Sequence, residues 1–201
     1  MTDRRPYHHG DLRAALLDAA LAVVERDGHE ALSLRDLAQR VGVSRAAPYR
    51  HFDDRRALLS AVAGEGFRAL GEIYQRVARE HAAPAARLRA GARAFLEFAQ
   101  VRSELFRLMF ATDLLTSATQ APHPDLIAPA DAAYAMLERG VAATLPGADD
   151  KTIKARTIAM WSTVHGFAVL RQGRRLKPFM LGALGEDELI EAVLSAALGD
   201  R

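Results

Sequence analysis

Residues 33–52 read S-L-R-D-L-A-Q-R-V-G-V-S-R-A-A-P-Y-R-H-F, and this stretch decides the fold. Ser33 followed three residues later by Asp36 reads as a capping box, in which a hydroxyl accepts from a first-turn N–H. A helix is expected from Ser33 to about Val41, with Gly42 in the turn after it. Ser44 is a second cap, opening a short helix to about Phe52. Ala38 is small where two helices must cross closely, and Leu37, Val41 and Val43 supply the packing that fixes the crossing. Two short capped helices joined by a glycine turn form the pattern of a helix-turn-helix, whose second helix enters a DNA major groove. Its exposed side would carry Arg45, Ala46, Ala47, Tyr49, Arg50 and His51. Arginine suits bidentate contact with guanine edges, and Tyr and His can donate to phosphate oxygens. On spacing alone, a helical hairpin with a charged face is the competing reading.

The charge around this stretch favours a polyanionic partner. Residues 33–56 hold six arginines (35, 40, 45, 50, 55, 56) against three acids (Asp36, Asp53, Asp54), a local +3, while the whole chain carries only +2. A clustered excess of this kind is an electrostatic footprint for nucleic acid. The 201 residues are enough for one large domain or two small ones, and at 50% hydrophobic they can bury a core without disulfides. There are no cysteines, which excludes disulfide scaffolds, Cys-zinc fingers and thiol nucleophiles. The polar start does not read as a signal peptide, so none is expected, and the longest uncharged apolar stretch, residues 157–170, falls short of a membrane span. A cytosolic protein with no membrane partner is expected.

Further out, the pattern is helical throughout. Forty residues are Ala, the best helix former, and apolar residues recur at spacings of three and four rather than two. Leu12, Ala15, Leu16, Ala19 and Val23 fall on one face of a first helix, expected over 11–26 and stopped by Gly28. Asp53 or Asp54 caps a long helix over 55–80. Helices are expected over 84–100, 102–112, 130–145, 150–172 and 186–198, with residues 117–129, which hold three prolines, as a loop. Asp149 or Asp150 caps the helix that starts near 150.

The run L-L-D-A-A-L-A-V-V-E-R-D-G (16–28) through V-G-V-S-R-A-A-P-Y-R-H-F-D-D-R-R-A-L-L (41–59) strongly resembles the N-terminal domain of the TetR family of transcriptional regulators. The resemblance covers about residues 10–62 without a gap. It implies a homodimer of all-α subunits, each with a three-helix DNA-binding head and a C-terminal bundle that binds an inducer and dimerises. It divides the chain into an N-terminal arm (1–9), a head (10–62) and a ligand-binding and dimerisation domain (63–201). By position, Ser33 and Arg35 match contacts at the start of the second helix. Arg45, Ala46, Ala47, Tyr49 and His51 match recognition-helix contacts, and Arg55 matches a basic residue that touches a phosphate. Pro48 stands where Leu is usual. It has no N–H and its ring crowds the Ser44 carbonyl, so the helix start is expected to shift or tighten. Arg4, Arg5 and Tyr7 form either a minor-groove arm or a disordered tail.

In the C-terminal half, M-W-S-T-V-H-G-F-A (160–168) resembles the Trp-His-Gly signature of one regulatory-domain subgroup of the same family. Trp161 and His165, four apart, share a helix face. With Phe106, Met109 and Phe110 they are the expected lining of a site for a small, mostly hydrophobic inducer with one polar handle; plain core packing is the alternative. Apolar stripes on 150–172 (Trp161, Val164, Ala168) and 186–198 (Leu189, Ile190, Val193, Leu194, Ala197) are expected to pair with their symmetry mates in the dimer. No H-E-x-x-H, G-x-G-x-x-G or G-x-S-x-G occurs, so no catalytic residue, metal or cofactor is expected. The expected function is a ligand-responsive regulator, more a repressor than an activator, acting on a palindromic double-stranded DNA operator. The alternative is a helical small-molecule carrier or a small all-α enzyme.

Overall fold

Apolar residues at helical spacing produce helices wherever the structure describes the chain. The computed structural model describes residues 9–110, 113–116 and 121–199, and contains no strand among them. The elements are α1 (His9–Asp27), α2 (Leu34–Val41), α3 (Arg55–Glu80), α4 (Pro84–Val101), α5 (Ser103–Phe110), α6 (Pro124–Thr144), α7 (Asp150–Gln172), α8 (Pro178–Leu181) and α9 (Glu186–Leu198). Single 3₁₀ turns occupy His29–Ala31 and Pro48–Arg50. The expected N-terminal arm lies outside the described residues except where α1 begins.

Two compact units emerge, one from the residues up to Phe67 with 104–129, the other from 68–103 with those from Ala130 onward. The expected boundary after Val62 cuts α3 within a stretch, residues 57–64, that is buried at every position. Helix α5 also packs in the first unit. A Cβ placed on Gly66 would come within 2.4 Å of the Met109 sulfur, so only glycine permits that approach.

In the first unit, α1 turns Leu16, Leu17, Ala20, Val23 and Val24 inward. That face is rotated slightly from the expected one, leaving Ala15 and Ala19 half-buried. Leu37 and Ala38 of α2, a helix that packs on α1, are almost wholly enclosed. Full burial of a leucine such as Leu37 stabilises by about 1.5–3 kcal/mol.

Two proline expectations are corrected. The segment 44–52 is not an α-helix: residues 45–47 form turns and Pro48–Arg50 one 3₁₀ turn. Pro48 has no N–H to give the Ser44 carbonyl, which instead accepts from Ala47 three residues on, at 3.0 Å. Residues 124–129 are not loop: α6 begins at Pro124 and carries Pro129 inside it. Pro129 deprives the Asp125 carbonyl of its helical donor, and Gly64 approaches that carbonyl so closely that a Cβ there would sit 2.2 Å from it. The same turn is held by Arg13, whose Nη2 donates to Asp125 at 2.7 Å, and by His123 Nδ1, which accepts from the Asp125 amide at 3.2 Å.

The second unit is built from the later part of α3 with α4, α6 from Ala130 onward, α7 and α9. Phe95, Leu96 and Ala99 of α4, Met160, Val164 and Phe167 of α7, and Leu194 of α9 form its core. Asp149 caps α7 by accepting from the Thr152 amide at 2.8 Å, and hydrogen bonds from Thr152 hold its carboxyl below its ordinary pKa. Arg89 and Arg93 of α4 both bind Glu191 of α9.

Candidate nucleic-acid interface and apolar cavity

Helix α2 is delimited by its own sequence. Ser33 is extended, and its Oγ accepts from the Asp36 amide at a long 3.4 Å. Gly42 ends the helix at φ 76°, a left-handed turn that a residue with a Cβ adopts only with strain. The chain then enters the tight turns around Pro48, which is itself buried. Arg50 donates to the Ala47 carbonyl at 3.2 Å, and His51 and Phe52 both donate to that of Pro48 at 3.0 Å. Phe52 seals the segment into the core, with the Arg13 guanidinium 5.2 Å above its ring.

This scaffold exposes Arg35, Arg45, Ala46, Tyr49 and Arg50, while Ser33, Ala47 and His51 are half-buried. Tyr49, at 55% exposed, is a large aromatic held in water without a core role. Arg35, Arg45 and Arg50 have no carboxylate partner among the described residues, so their positive charge is uncompensated. Arg55 differs: its Nε donates to the Leu32 carbonyl at 2.9 Å, and its Nη2 to those of His29 at 2.6 Å and Glu30 at 3.4 Å. That guanidinium ties the start of α3 to the turn before α2.

The second unit contains a cavity of about 330 Å³, at the small end of ligand pockets. Helix α3 lines it with Tyr74, Val77 and Ala78; α4 contributes Arg87, Leu88, Gly91 and Phe95. Helix α6 adds Met136, Arg139 and Gly140, and α7 adds Met160, Trp161 and Val164. Trp161 lines the cavity and is 39% exposed. His165 does not line the cavity. Its ring lies 5.4 Å from that of Trp161 and 6.2 Å from that of Phe95, and burial pushes its pKa down, leaving it neutral at pH 7. Phe106 and Met109 are buried in the first unit, where Phe110 packs against Phe67 at 5.2 Å; of the five residues expected around one ligand, Trp161 lines this cavity. Sequence reasoning missed Tyr74, Arg87 and Arg139.

Residues 16–62 match "Bacterial regulatory proteins, tetR family", and residues 88–197 match "Tetracyclin repressor-like, C-terminal domain". The HTH-type transcriptional activator FasR of Mycolicibacterium smegmatis is 33% identical over 52% of this chain and 48% of its own length. Tetracycline repressor protein class D of Escherichia coli is 35% identical over 35% of this chain and 36% of its own. The chain thus spans about half the length, or less, of these curated relatives. A solved protein with unknown function from Rhodococcus sp. RHA1 is 33% identical over 98% of both chains, with a TM-score of 0.79. A TetR-family transcriptional regulator from Bordetella parapertussis 12822 shares the fold at a TM-score of 0.60 and 21% identity, over 96% of this chain and 95% of that one. Since the C-terminal match alone spans more than half of its residues and the N-terminal match covers the capped α2 and its turn, the chain belongs to the TetR family of bacterial regulatory proteins.

Proposed function

We propose that the protein is a homodimeric, ligand-responsive transcriptional regulator that binds a roughly palindromic DNA operator and releases it when a small, mostly hydrophobic inducer enters the cavity. The observation that carries this reading is the set of exposed, uncompensated arginines on α2 and the turns after it (Arg35, Arg45, Arg50), in a chain of this family. Arg45 is the base-reading residue, and Ser33, Arg35, Ala46, Ala47, Tyr49 and His51 contact phosphates and groove walls. Arg55 is held in place through Nε and Nη2, which leaves its Nη1 donors for the expected phosphate contact.

Helix α3 links the two tasks, since it supplies Arg55 at one end and Tyr74, Val77 and Ala78 to the cavity at the other. An inducer that binds better to the operator-incompetent form of the dimer shifts the population away from DNA. For the dimer, the expected stripe needs adjustment: Val164, Ala168, Ile190 and Leu194 are buried within the subunit. Ile158, Val169 and Leu170 of α7 remain exposed, and a Cβ on Gly166 would meet nothing within 4 Å, leaving room for a partner helix. The repressor sense follows the tetracycline repressor relatives; a reporter gene that falls silent on deletion of the protein would indicate activation instead. No helix among the described residues is long and apolar enough to cross a membrane, which suits a regulator working in the cytoplasm.

Selection of duplexes from a random pool tests the reading. An enriched inverted repeat is expected, with affinity that falls steeply with salt. Arg45→Ala should cost about 1–3 kcal/mol and relax preference at one position per half-site. Failure to enrich any duplex overturns the proposal.

A further inference from the structure

The cavity has a charged end and an apolar end, and their order can be read along α4. A Cβ on Gly140 of α6 would lie 3.4 Å from the Leu88 side chain, so Gly140 and its neighbour Arg139 sit at the level of Leu88 and Arg87. Phe95 lies seven residues further along the same helix, about 10 Å away at the ordinary rise per residue. Val164 of α7 and Phe95 are both buried.

The polar side chains of the lining are Arg87, Arg139 and Trp161, which only donate, and Tyr74, whose hydroxyl can also donate. Arg87 already gives Nε to the His81 carbonyl at 3.1 Å and Nη2 to that of Ala82 at 3.2 Å, which fixes its charge at the rim without a carboxylate. Arg139 is exposed and has no carboxylate partner among the described residues. The Tyr74 ring rests on Gly91, where a Cβ would be 3.8 Å away, and its hydroxyl makes no hydrogen bond among the described residues. No Asp or Glu lines the cavity. An apolar chamber walled by donors and two cations repels a cationic ligand and leaves a neutral one without its strongest partner.

We infer that the cavity takes a small hydrophobic monocarboxylate, its apolar body about 10 Å long running toward Phe95 and its carboxylate held by Arg139, with Tyr74 as a second donor. This deepens, and rests on, the reading of the cavity as the inducer site. The planar guanidinium of Arg139 matches a carboxylate in two parallel hydrogen bonds. Burial raises the pKa of Tyr74, so its phenol stays protonated and able to donate.

Trp161, the only tryptophan, reports occupancy by its fluorescence. The full-length protein is titrated with octanoate, octan-1-ol and octylammonium. Octanoate should bind about tenfold more tightly than octan-1-ol, and octylammonium should give no response over the same range. Arg139→Gln should bring octanoate down to the level of octan-1-ol without moving octan-1-ol itself, and Gly140→Leu, which fills the space beside Leu88, should abolish both. Octanoate no tighter than octan-1-ol, an equal response to octylammonium, silence toward all three, or an Arg139→Gln variant with unchanged octanoate affinity overturns the inference. Operator release is measured separately on the selected duplex. Octanoate that binds without releasing DNA leaves the ligand class standing and removes the inducer role; DNA binding with no octanoate response does the reverse.

Discussion

Pro48 and Pro129 occupy two regions of the first unit and have opposite consequences. At Pro48 the chain abandons the α-helix for tight turns, whereas at Pro129 the helix runs on for another fifteen residues, to Thr144. Both prolines lack the same N–H and crowd the same kind of carbonyl. What differs is the support around that carbonyl. Ser44 lies in a short exposed segment, where a 3₁₀ bond from Ala47 is the cheapest alternative. Asp125 lies in a turn pinned by Arg13, by His123 and by the closely approaching backbone of Gly64. A proline breaks a helix where only the ladder holds it, and is absorbed where side chains and neighbouring backbone hold the turn.

The contrast can be attacked at its strongest support. Gly64→Ala forces a Cβ to within 2.2 Å of the Asp125 carbonyl, a backbone atom that cannot swing away. It should destabilise the first unit by about 3 kcal/mol, read as a drop in thermal midpoint with early loss of helix. A midpoint near that of the wild type would show that α6 starts without this contact. Arg55→Ala comes next. It removes donors from three carbonyls and should cost about 1–2 kcal/mol, while Arg45→Ala, lacking such partners, leaves the midpoint within about 0.5 kcal/mol of wild type. Denaturant titration separates the two, and equal midpoints would remove the structural role of Arg55 and leave it only the phosphate contact.

Pro129→Ala restores a donor to Asp125. An unsupported interior proline costs about 3 kcal/mol, so a gain of that size would mean that the turn is strained. The pinned geometry leads us to expect less than about 1 kcal/mol. Pro48→Ala should change stability least, because the gained hydrogen bond of about 1 kcal/mol is offset by the lost stiffness of proline and its buried ring. Its signature is structural: amides from position 48 onward gain helical exchange protection, and operator preference shifts with the new placement of Arg45. Unaltered exchange would mean that Pro48 is not what tightens the segment.

The head was easier to read from sequence than the cavity, for physical reasons. Caps and stops act locally, so Ser33, Gly42, Asp54 and Asp149 announce themselves; Asp54, for example, accepts from the Ala57 amide at 2.7 Å. Helix α3 accordingly has its expected bounds, Arg55–Glu80. A cavity is an absence of atoms among distant helices, and nothing local marks its walls. Arg139 looks like any other arginine of this Arg-rich chain, and Tyr74 like any aromatic on an amphipathic helix. Phe106, Met109 and Phe110 are ambiguous because an aromatic stripe suits a core and a pocket equally, and the close approach of Gly66 to Met109, a pairing across helices, is invisible along the chain. Pro129 misdirects because the propensity rule omits tertiary support.

The uninterrupted burial of residues 57–64 in α3 has a consequence for how the protein opens. Most helices keep one flank wet, and their outer amides exchange by small local excursions. A turn and more of helix enclosed on all sides gives solvent no such entrance, so these amides exchange with deuterium only when the first unit comes apart as a whole. They mark its most slowly opening region, and their exchange rate, followed by mass spectrometry, gives the unit's global stability with no denaturant added.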